Sequence, residues 1–316
     1  MEECFVGLDT SNYTTSLAVV SGGEVLVNGK APLPVKEGEC GLRQSDALFA
    51  HVKNIPELAA LLRRETAGKK ILAVGVSEKP RNLDGSYMPC FLGGVAVAEA
   101  VAGALGIPLY RFSHQCGHLR AAMYSAKAEH LLSHPFGAFH ISGGTTEMLY
   151  VTPRDGAFSC DIAGGTRDLN AGQLVDRVGV MLGLSFPCGA ALERLALENK
   201  ERVPSRKIKT ENGFVHLSGL ENVARALYEE TKDKSLTAAA VFRYLSDAVI
   251  AMSRDFRAAY GEMPLLFAGG VMSNGIIRSA VKSVLTDVYF AEPSFSADNG
   301  AGIALLTEAR YLTEVN

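Results

Sequence analysis

The chain has 316 residues, 47% hydrophobic and 21% charged, an ordinary globular composition that excludes disorder and suffices for two cores. Its 31 Lys and Arg against 34 Asp and Glu give a net charge of −3, which excludes a protein that wraps duplex nucleic acid with its whole surface. Any nucleic-acid contact is then a local patch, one completed by a partner, or both. An acidic start and the lack of an apolar run of about 18 residues predict a cytoplasmic chain with no signal peptide and no membrane contact.

Cys4–Leu8 and Ser16–Val20 read as apolar strands, and Ser21-Gly22-Gly23 turns the chain into a third at Glu24–Val27. Asp46–Arg63 has helical periodicity, with Ala47, Ala50, Val52, Leu58 and Leu61 along one face and a bend at Pro56. Ile71–Val76 is a buried strand, and Gly94–Leu105 is a helix of small residues. Val241–Phe256 is the clearest amphipathic helix, with Val241, Tyr244, Leu245, Ala248, Val249, Met252 and Phe256 on one stripe. Leu265–Phe267 is an apolar strand that leads through a glycine turn into a helix at Ile276–Val284, and Ala301–Leu312 is the last helix. The six cysteines, Cys4, Cys40, Cys90, Cys116, Cys160 and Cys188, contain no CxxC pair, so reduced and mostly buried thiols are expected, with Cys116 set apart by its place between two histidines.

The chain repeats itself. Phe5–Val20 and Phe136–Val151, 131 positions apart, each read strand, polar turn, Thr-Thr pair, strand. The turns are Asp9-Thr10-Ser11 and Ser142-Gly143-Gly144, and a further turn and strand follow each copy, at Ser21-Gly22-Gly23 and Arg154-Asp155-Gly156. Hairpins of this kind offer backbone N–H groups and hydroxyls to a phosphate. The actin, sugar kinase and Hsp70 superfamily is built this way. The expected fold is therefore a duplicated actin-like (ASKHA) two-lobed α/β fold. Residues 1–134 would form the first lobe, with a C-terminal helix at 299–316 packing back on it, and residues 135–298 the second.

His114-Gln115-Cys116-Gly117-His118 sets two imidazoles at i and i+4, one face of a helix, where they can share a metal. A zincin needs a Glu base at the position of Gln115, so proteolysis is disfavoured. Asp298, before the last helix, is either an N-cap or a third oxygen ligand, and spacing does not choose between them. Ala268-Gly269-Gly270, between a strand and a helix, suits close approach of a flat ligand or phosphate, or is simply a tight turn.

Together, Asp9-Thr10-Ser11, His114-x-x-Gly117-His118, Ser142-Gly143-Gly144, Asp168–Asp176, Pro187-Cys188-Gly189, Ser218-Gly219-Leu220, Ala268-Gly269-Gly270-Val271-x-x-Asn274 and Asp298-Asn299 resemble the TsaD/Gcp family, once labelled glycoprotease M22, over nearly the whole chain. The resemblance implies a transferase that moves a threonylcarbamoyl group from threonylcarbamoyl-AMP to the exocyclic amine of a tRNA adenosine. It implies one divalent metal, iron or zinc, held by His114, His118 and Asp298, and an adenylate (ATP, AMP or threonylcarbamoyl-AMP) bound by His140, Ile141, Ser142, Gly143, Gly144, Asp176, Gly189 and Asn274. Backbone N–H groups of Ser142–Gly144 would meet developing negative charge, and Asp176 the ribose. The implied partners are tRNA and other tRNA-modification subunits in a hetero-oligomer.

Four segments depart from that family's pattern. The family's Glu-Thr-Ser-Cys-Asp-Glu-Thr is here Asp9-Thr10-Ser11-Asn12-Tyr13-Thr14-Thr15, and its Ser-Gly-Gly-His-Thr is Ser142-Gly143-Gly144-Thr145-Thr146. Cys116 replaces a Glu between the histidines, and Ser77–Gly85 replaces a Gly-Pro-Gly loop. These departures point to a divergent paralogue. They leave two alternatives open, an enzyme for another acceptor and a non-catalytic nucleotide-binding regulatory subunit. With the hairpin carboxylates lost, nucleotide binding without ATP hydrolysis is expected.

Overall fold

The computed structural model describes residues 2–34, 42–154, 156–204, 206–296 and 298–315; Cys40 and Asp155 lie outside them. The chain begins β1 (Glu2–Thr10), β2 (Thr14–Ser21), β3 (Glu24–Pro32), α1 (Gln44–Glu65), β4 (Lys69–Lys79), α2 (Phe91–Leu105), β5 (Leu109–Ser113) and α3 (His114–Ser125). It continues with β6 (Phe136–Ile141), β7 (Thr146–Arg154), β8 (Ala157–Thr166), α4 (Ala171–Met181), α5 (Gly189–Leu197), β9 (Phe214–Val215), α6 (Ser218–Thr231) and α7 (Lys234–Tyr260). Last come β10 (Leu265–Ala268), α8 (Gly275–Val284), β11 (Val288–Phe290), α9 (Pro293–Ser296) and α10 (Ala301–Val315).

Two compact units result, residues 1–129, 153–159 and 297–316, and residues 130–152 and 160–296. Asp298 thus falls in the first unit, although the sequence reading put it in the second lobe. Residues 130–134 go with the second unit and 153–159 with the first.

The sheets of the two units repeat one plan. The first has the order β3-β2-β1-β4-β5; the second contains β8-β7-β6-β10-β11, with β9 added beside β8. In the β1–β2 hairpin the antiparallel pairs run from Phe5↔Val20 to Thr10↔Thr15, and in the β6–β7 hairpin from Phe136↔Val151 to Ile141↔Thr146, offset by 131 at every pair. β4 and β10 lie parallel to β1 and β6, and β5 and β11 parallel to those in turn. A chance likeness between two hairpins would not extend to three further strands, so the pattern is a duplication.

In the first unit, Val6, Leu8, Leu17, Val74 and Val76 pack against Ala98 and Ala102 of α2 and Leu58 of α1. α1 runs unbroken through Pro56. Its buried stripe differs from the expected one: Val52 is 55% exposed, and His51 is fully buried in its place. The cause is polar. Thr15 Oγ1 meets His51 Nδ1 at 2.8 Å and accepts from Asn54 Nδ2 at 3.1 Å, so α1 turns these two polar side chains inward. On the sheet's other side α10 packs against β1, β4 and α3 through Ala301, Ile303, Ala304 and Leu305, all buried.

In the second unit, α7 buries all seven residues of the expected stripe. By length and composition α7 could cross a bilayer, and most of it is buried inside the protein as a core helix. Arg243 and Asp247 interrupt its apolar run, which is why an uninterrupted-run reading of the sequence passed over it. Asp168 locks the start of α6 to the strand before α4: its carboxylate accepts from Leu169 N at 2.6 Å, Leu217 N at 2.8 Å and Ser218 Oγ at 2.6 Å. Burial pushes this carboxyl up, but the Ser218 hydroxyl and the backbone N–H groups outweigh it and hold it below the ordinary range. Because Asp168 is exposed to solvent, replacing it by Ala is expected to cost about 0.5–1.5 kcal/mol, read from denaturant unfolding. Because the folded carboxyl titrates below its unfolded value, its contribution is complete above about pH 5 and fades as the pH falls through the folded value. The variant should lack that acid-side decline.

Candidate functional site

β5 ends at Ser113, whose Oγ accepts from Cys116 N at 3.2 Å and caps α3. That cap starts the helix at His114, so His114 and His118, one turn apart, lie on one face. Their Nε2 atoms stand 2.9 Å apart. Asp298 Oδ1 lies 3.5 Å from His114 Nε2 and 3.3 Å from His118 Nε2. Asn299 rather than Asp298 caps α10, its Oδ1 accepting from Gly302 N at 3.4 Å. Asp298 faces the imidazoles instead.

Two glycines make this possible. A Cβ on Gly302 would fall against the carbonyl of Gly117, with Gly117 C at 2.6 Å and Ala121 N at 3.0 Å. A Cβ on Gly117 would meet Ile303 Cδ1 at 2.9 Å. α3 and α10 therefore cross backbone to backbone, and the residues just before α10 reach the histidine face.

Behind His114 sits Asp9, at the end of β1 and fully buried. Its Oδ1 and Oδ2 lie 3.1 and 3.0 Å from His114 Nδ1, and Ser77 Oγ of β4 donates to Oδ1. Burial would push the His114 imidazole down, but Asp9 and Asp298 together raise it to about 10. Asp298 is held well below the ordinary carboxylate range: burial pushes it up, and the hydrogen bonds from His114 and His118 outweigh that. Two carboxylates around facing imidazoles form an environment for positive charge. Ligand atoms at about 2.0–2.2 Å from one ion sit roughly 3 Å from each other, so the two Nε2 atoms and Asp298 Oδ1 fit a shared divalent cation. Cys116 takes no part: its Sγ donates to Phe158 O at 3.4 Å and accepts from Asn82 Nδ2 at 3.3 Å.

The expected nucleotide residues lie in the second unit, in two groups. In the first, the Ser142–Gly144 turn is seated on the start of α4. Gly172 N donates to Ser142 O at 3.2 Å, Ala171 N to Thr146 Oγ1 at 2.9 Å and Asn170 Nδ2 to Gly144 O at 3.0 Å. A Cβ on Gly172 would meet Gly143 Cα at 2.5 Å. Ser142 N donates to Thr145 O at 2.8 Å, so this N–H is already used. Among the described residues, Gly143 and Gly144 N–H make no hydrogen bond and remain as the donors of the turn. His140 is half-buried beside Ala268, whereas the Ile141 side chain belongs to the core and offers only its backbone. Gly269, at φ +100°, packs directly on the Ile141 carbonyl, where no side chain fits, and this joins the two glycine turns.

In the second group, Asp176 Oδ1 accepts from Cys188 N at 2.8 Å and so fixes the start of α5 at Gly189. Asn274 Oδ1 caps α8 through Ile277 N at 3.0 Å. Glu193 of α5 accepts from Gly275 N at 2.6 Å and links the two helices. Sequence reasoning had assigned no role to Asp9, Ser77 or Glu193. The signal for Asp9 was its place in the duplicated turn and for Ser77 its place in the segment that departs from the family pattern; Glu193 carried none.

A family model described as TsaD, tRNA N6-adenosine threonylcarbamoyltransferase, matches residues 40–305. A curated relative of that name from Thermus thermophilus is 32% identical, covering 97% of this chain and 92% of its own length. One from Streptococcus suis is 29% identical, covering 99% and 94%. Among solved structures, the T.kodakarensis HypF protein has a TM-score of 0.63 at 13% identity, covering 99% of this chain and 48% of its own. The activator of 2-hydroxyisocaproyl-CoA dehydratase from Clostridium difficile has a TM-score of 0.53 at 13% identity, covering 99% and 98%. At such identities these structures speak for the fold alone, and the fold is the actin-like one. On the sequence match, with both histidines and the aspartate converging, this chain belongs to the TsaD family of tRNA N6-adenosine threonylcarbamoyltransferases.

Proposed function

We propose that this chain transfers a threonylcarbamoyl group from an acyl-adenylate to N6 of an adenosine in tRNA, with one divalent cation, iron or zinc, on His114, His118 and Asp298. The observation that carries this reading is the convergence of those three side chains in a chain of this family. In the reaction the adenosine amine bonds to the carbamoyl carbon and the bond from that carbon to the phosphate oxygen breaks, with release of AMP and one proton. The cation supplies Lewis-acid polarisation and orientation of a carbonyl oxygen.

The chain's own groups do the rest. Gly143 and Gly144 N–H receive phosphate or developing oxyanion charge, as preorganised donors that need no rearrangement. The second carboxylate oxygen of Asp176 takes a ribose hydroxyl, while its first anchors Gly189 through Cys188. Asn274, with its carbonyl oxygen committed to the cap of α8, presents its amide NH₂ to the nucleoside. With a net charge of −3, the chain engages tRNA through a local patch and together with partner subunits.

A Cβ at Gly143 meets nothing within 4 Å, so Gly143→Val leaves the fold intact and puts its methyls where the phosphate lies. AMP affinity is expected to fall at least about tenfold, about 1.4 kcal/mol, with an unchanged melting transition. Calorimetry with AMP checks this; unaltered affinity places the phosphate elsewhere. The function itself is tested by incubating the metal-loaded chain with threonylcarbamoyl-AMP and unmodified tRNA, alone and with candidate partner subunits, then analysing the nucleosides by mass spectrometry. Threonylcarbamoyladenosine formed by the parent and not by Gly143→Val supports the reading. Its absence under all conditions, with metal and AMP bound, favours a binding subunit instead.

A further inference from the structure

We infer that Asp9 is the positioning residue of the candidate metal centre and that Ser77 sets the position of Asp9. The inference rests on the metal reading above and adds to it the group that decides which way the His114 ring and its proton face.

An imidazole ligates a cation through an unprotonated nitrogen, and the partner of its other nitrogen fixes which one that is. Asp9 is fully buried, and both its oxygens lie at hydrogen-bond distance from His114 Nδ1. Oδ1 accepts from Ser77 and both oxygens face the same ring nitrogen, so the geometry assigns the ring proton to Nδ1. Nε2 is then the ligating atom, and it is Nε2 that faces His118 Nε2 and Asp298 Oδ1. The Ser77 hydroxyl donates to Asp9 Oδ1, and a serine hydroxyl has a single proton to give. Asp9 is therefore the common acceptor, taking one hydrogen bond from Ser77 and one from His114, whose Nε2 is left to face the cation. Three separate elements supply these groups: Asp9 is the penultimate residue of β1, Ser77 lies in β4 parallel to it, and His114 opens α3. Each link is buried or half-buried, where such charge-assisted bonds are strongest. Ser77 belongs to the segment in which the sequence departs from the family pattern, so that departure contributes to the metal centre.

The test is Co²⁺ titration of the full chain, following the visible ligand-field bands and the dissociation constant, with circular dichroism as the fold control. Asp9→Asn keeps the shape and removes the charge; it is expected to weaken Co²⁺ binding about 10–100-fold and to change the band pattern, because the ring is no longer held in one tautomer. Ser77→Ala keeps the Asp9 charge and is expected to weaken binding in the same direction by less. It decides the matter should Asp9→Asn fail to fold. Wild-type affinity and bands in a folded Asp9→Asn chain, or in Ser77→Ala when Asp9→Asn does not fold, overturn the inference while leaving the metal reading intact. A parent chain that binds no Co²⁺ overturns the metal reading, and this inference with it.

Discussion

Replacing His118 by Ala is expected to abolish stoichiometric metal binding while leaving the fold in place. In the proposed site His118 supplies one of three ligand atoms, and losing a ligand should exceed the ~10–100-fold cost of losing an outer partner. The helix itself tolerates the change, since Ala is the best helix former and the Ser113 cap lies outside the substituted turn. Equilibrium dialysis against Zn²⁺ with metal analysis gives the stoichiometry, and far-UV circular dichroism gives the fold. Full occupancy in the variant would show that the cation binds elsewhere.

The second large effect is expected at Gly302. Two terms oppose each other in Gly302→Ala. Helix propensity favours Ala by about 0.8–1 kcal/mol. Against it, the new Cβ meets the carbonyl and Cα-linked backbone of Gly117, which cannot swing aside as a side chain would. Overpacking of that kind costs about 1–3 kcal/mol, with rigid backbone at the upper end, so the clash wins by about 2 kcal/mol. α10 must also shift from α3, which carries Asp298 away from the imidazoles, so metal affinity should fall with stability. Gly103 of α2 is the control: a Cβ there meets nothing within 4 Å, and Gly103→Ala should stabilise by up to about 1 kcal/mol without touching metal binding. Urea unfolding of the three chains separates the cases. Equal stability of Gly302→Ala and the parent would mean that the helices do not cross as closely as described.

The fold was legible because its signals are local and periodic. The two hairpins repeat position for position, and the α7 stripe follows the helical period, so pattern alone finds them. His114 and His118 were legible for the same reason, being one turn apart on one helix. What a pattern does not encode is which buried polar group meets which. Periodicity favoured apolar Val52, whereas Thr15 draws His51 and Asn54 inward, a choice made by a strand more than 30 positions earlier in the chain. The Ser142–Gly144 turn offered three backbone N–H groups on paper. The turn's own closure uses that of Ser142. Asp9 and Ser77 are 68 positions apart and meet only because β1 and β4 pair in parallel, so their partnership had no sequence signature. Spacing also left Asp298 and Asn299 alike as caps, and it is Asn299 that accepts from Gly302 N while Asp298 faces the imidazoles.

The central claim is that His114, His118 and Asp298 hold one cation, and anomalous X-ray scattering from crystals of the full chain grown with Zn²⁺ tests it most directly. The account predicts one strong peak at about 2.0–2.2 Å from Nε2 of both histidines and from a carboxylate oxygen of Asp298, with Asp9 on the far side of the His114 ring. A peak bound elsewhere, or imidazoles still hydrogen-bonded to each other with no peak beside them, would contradict it.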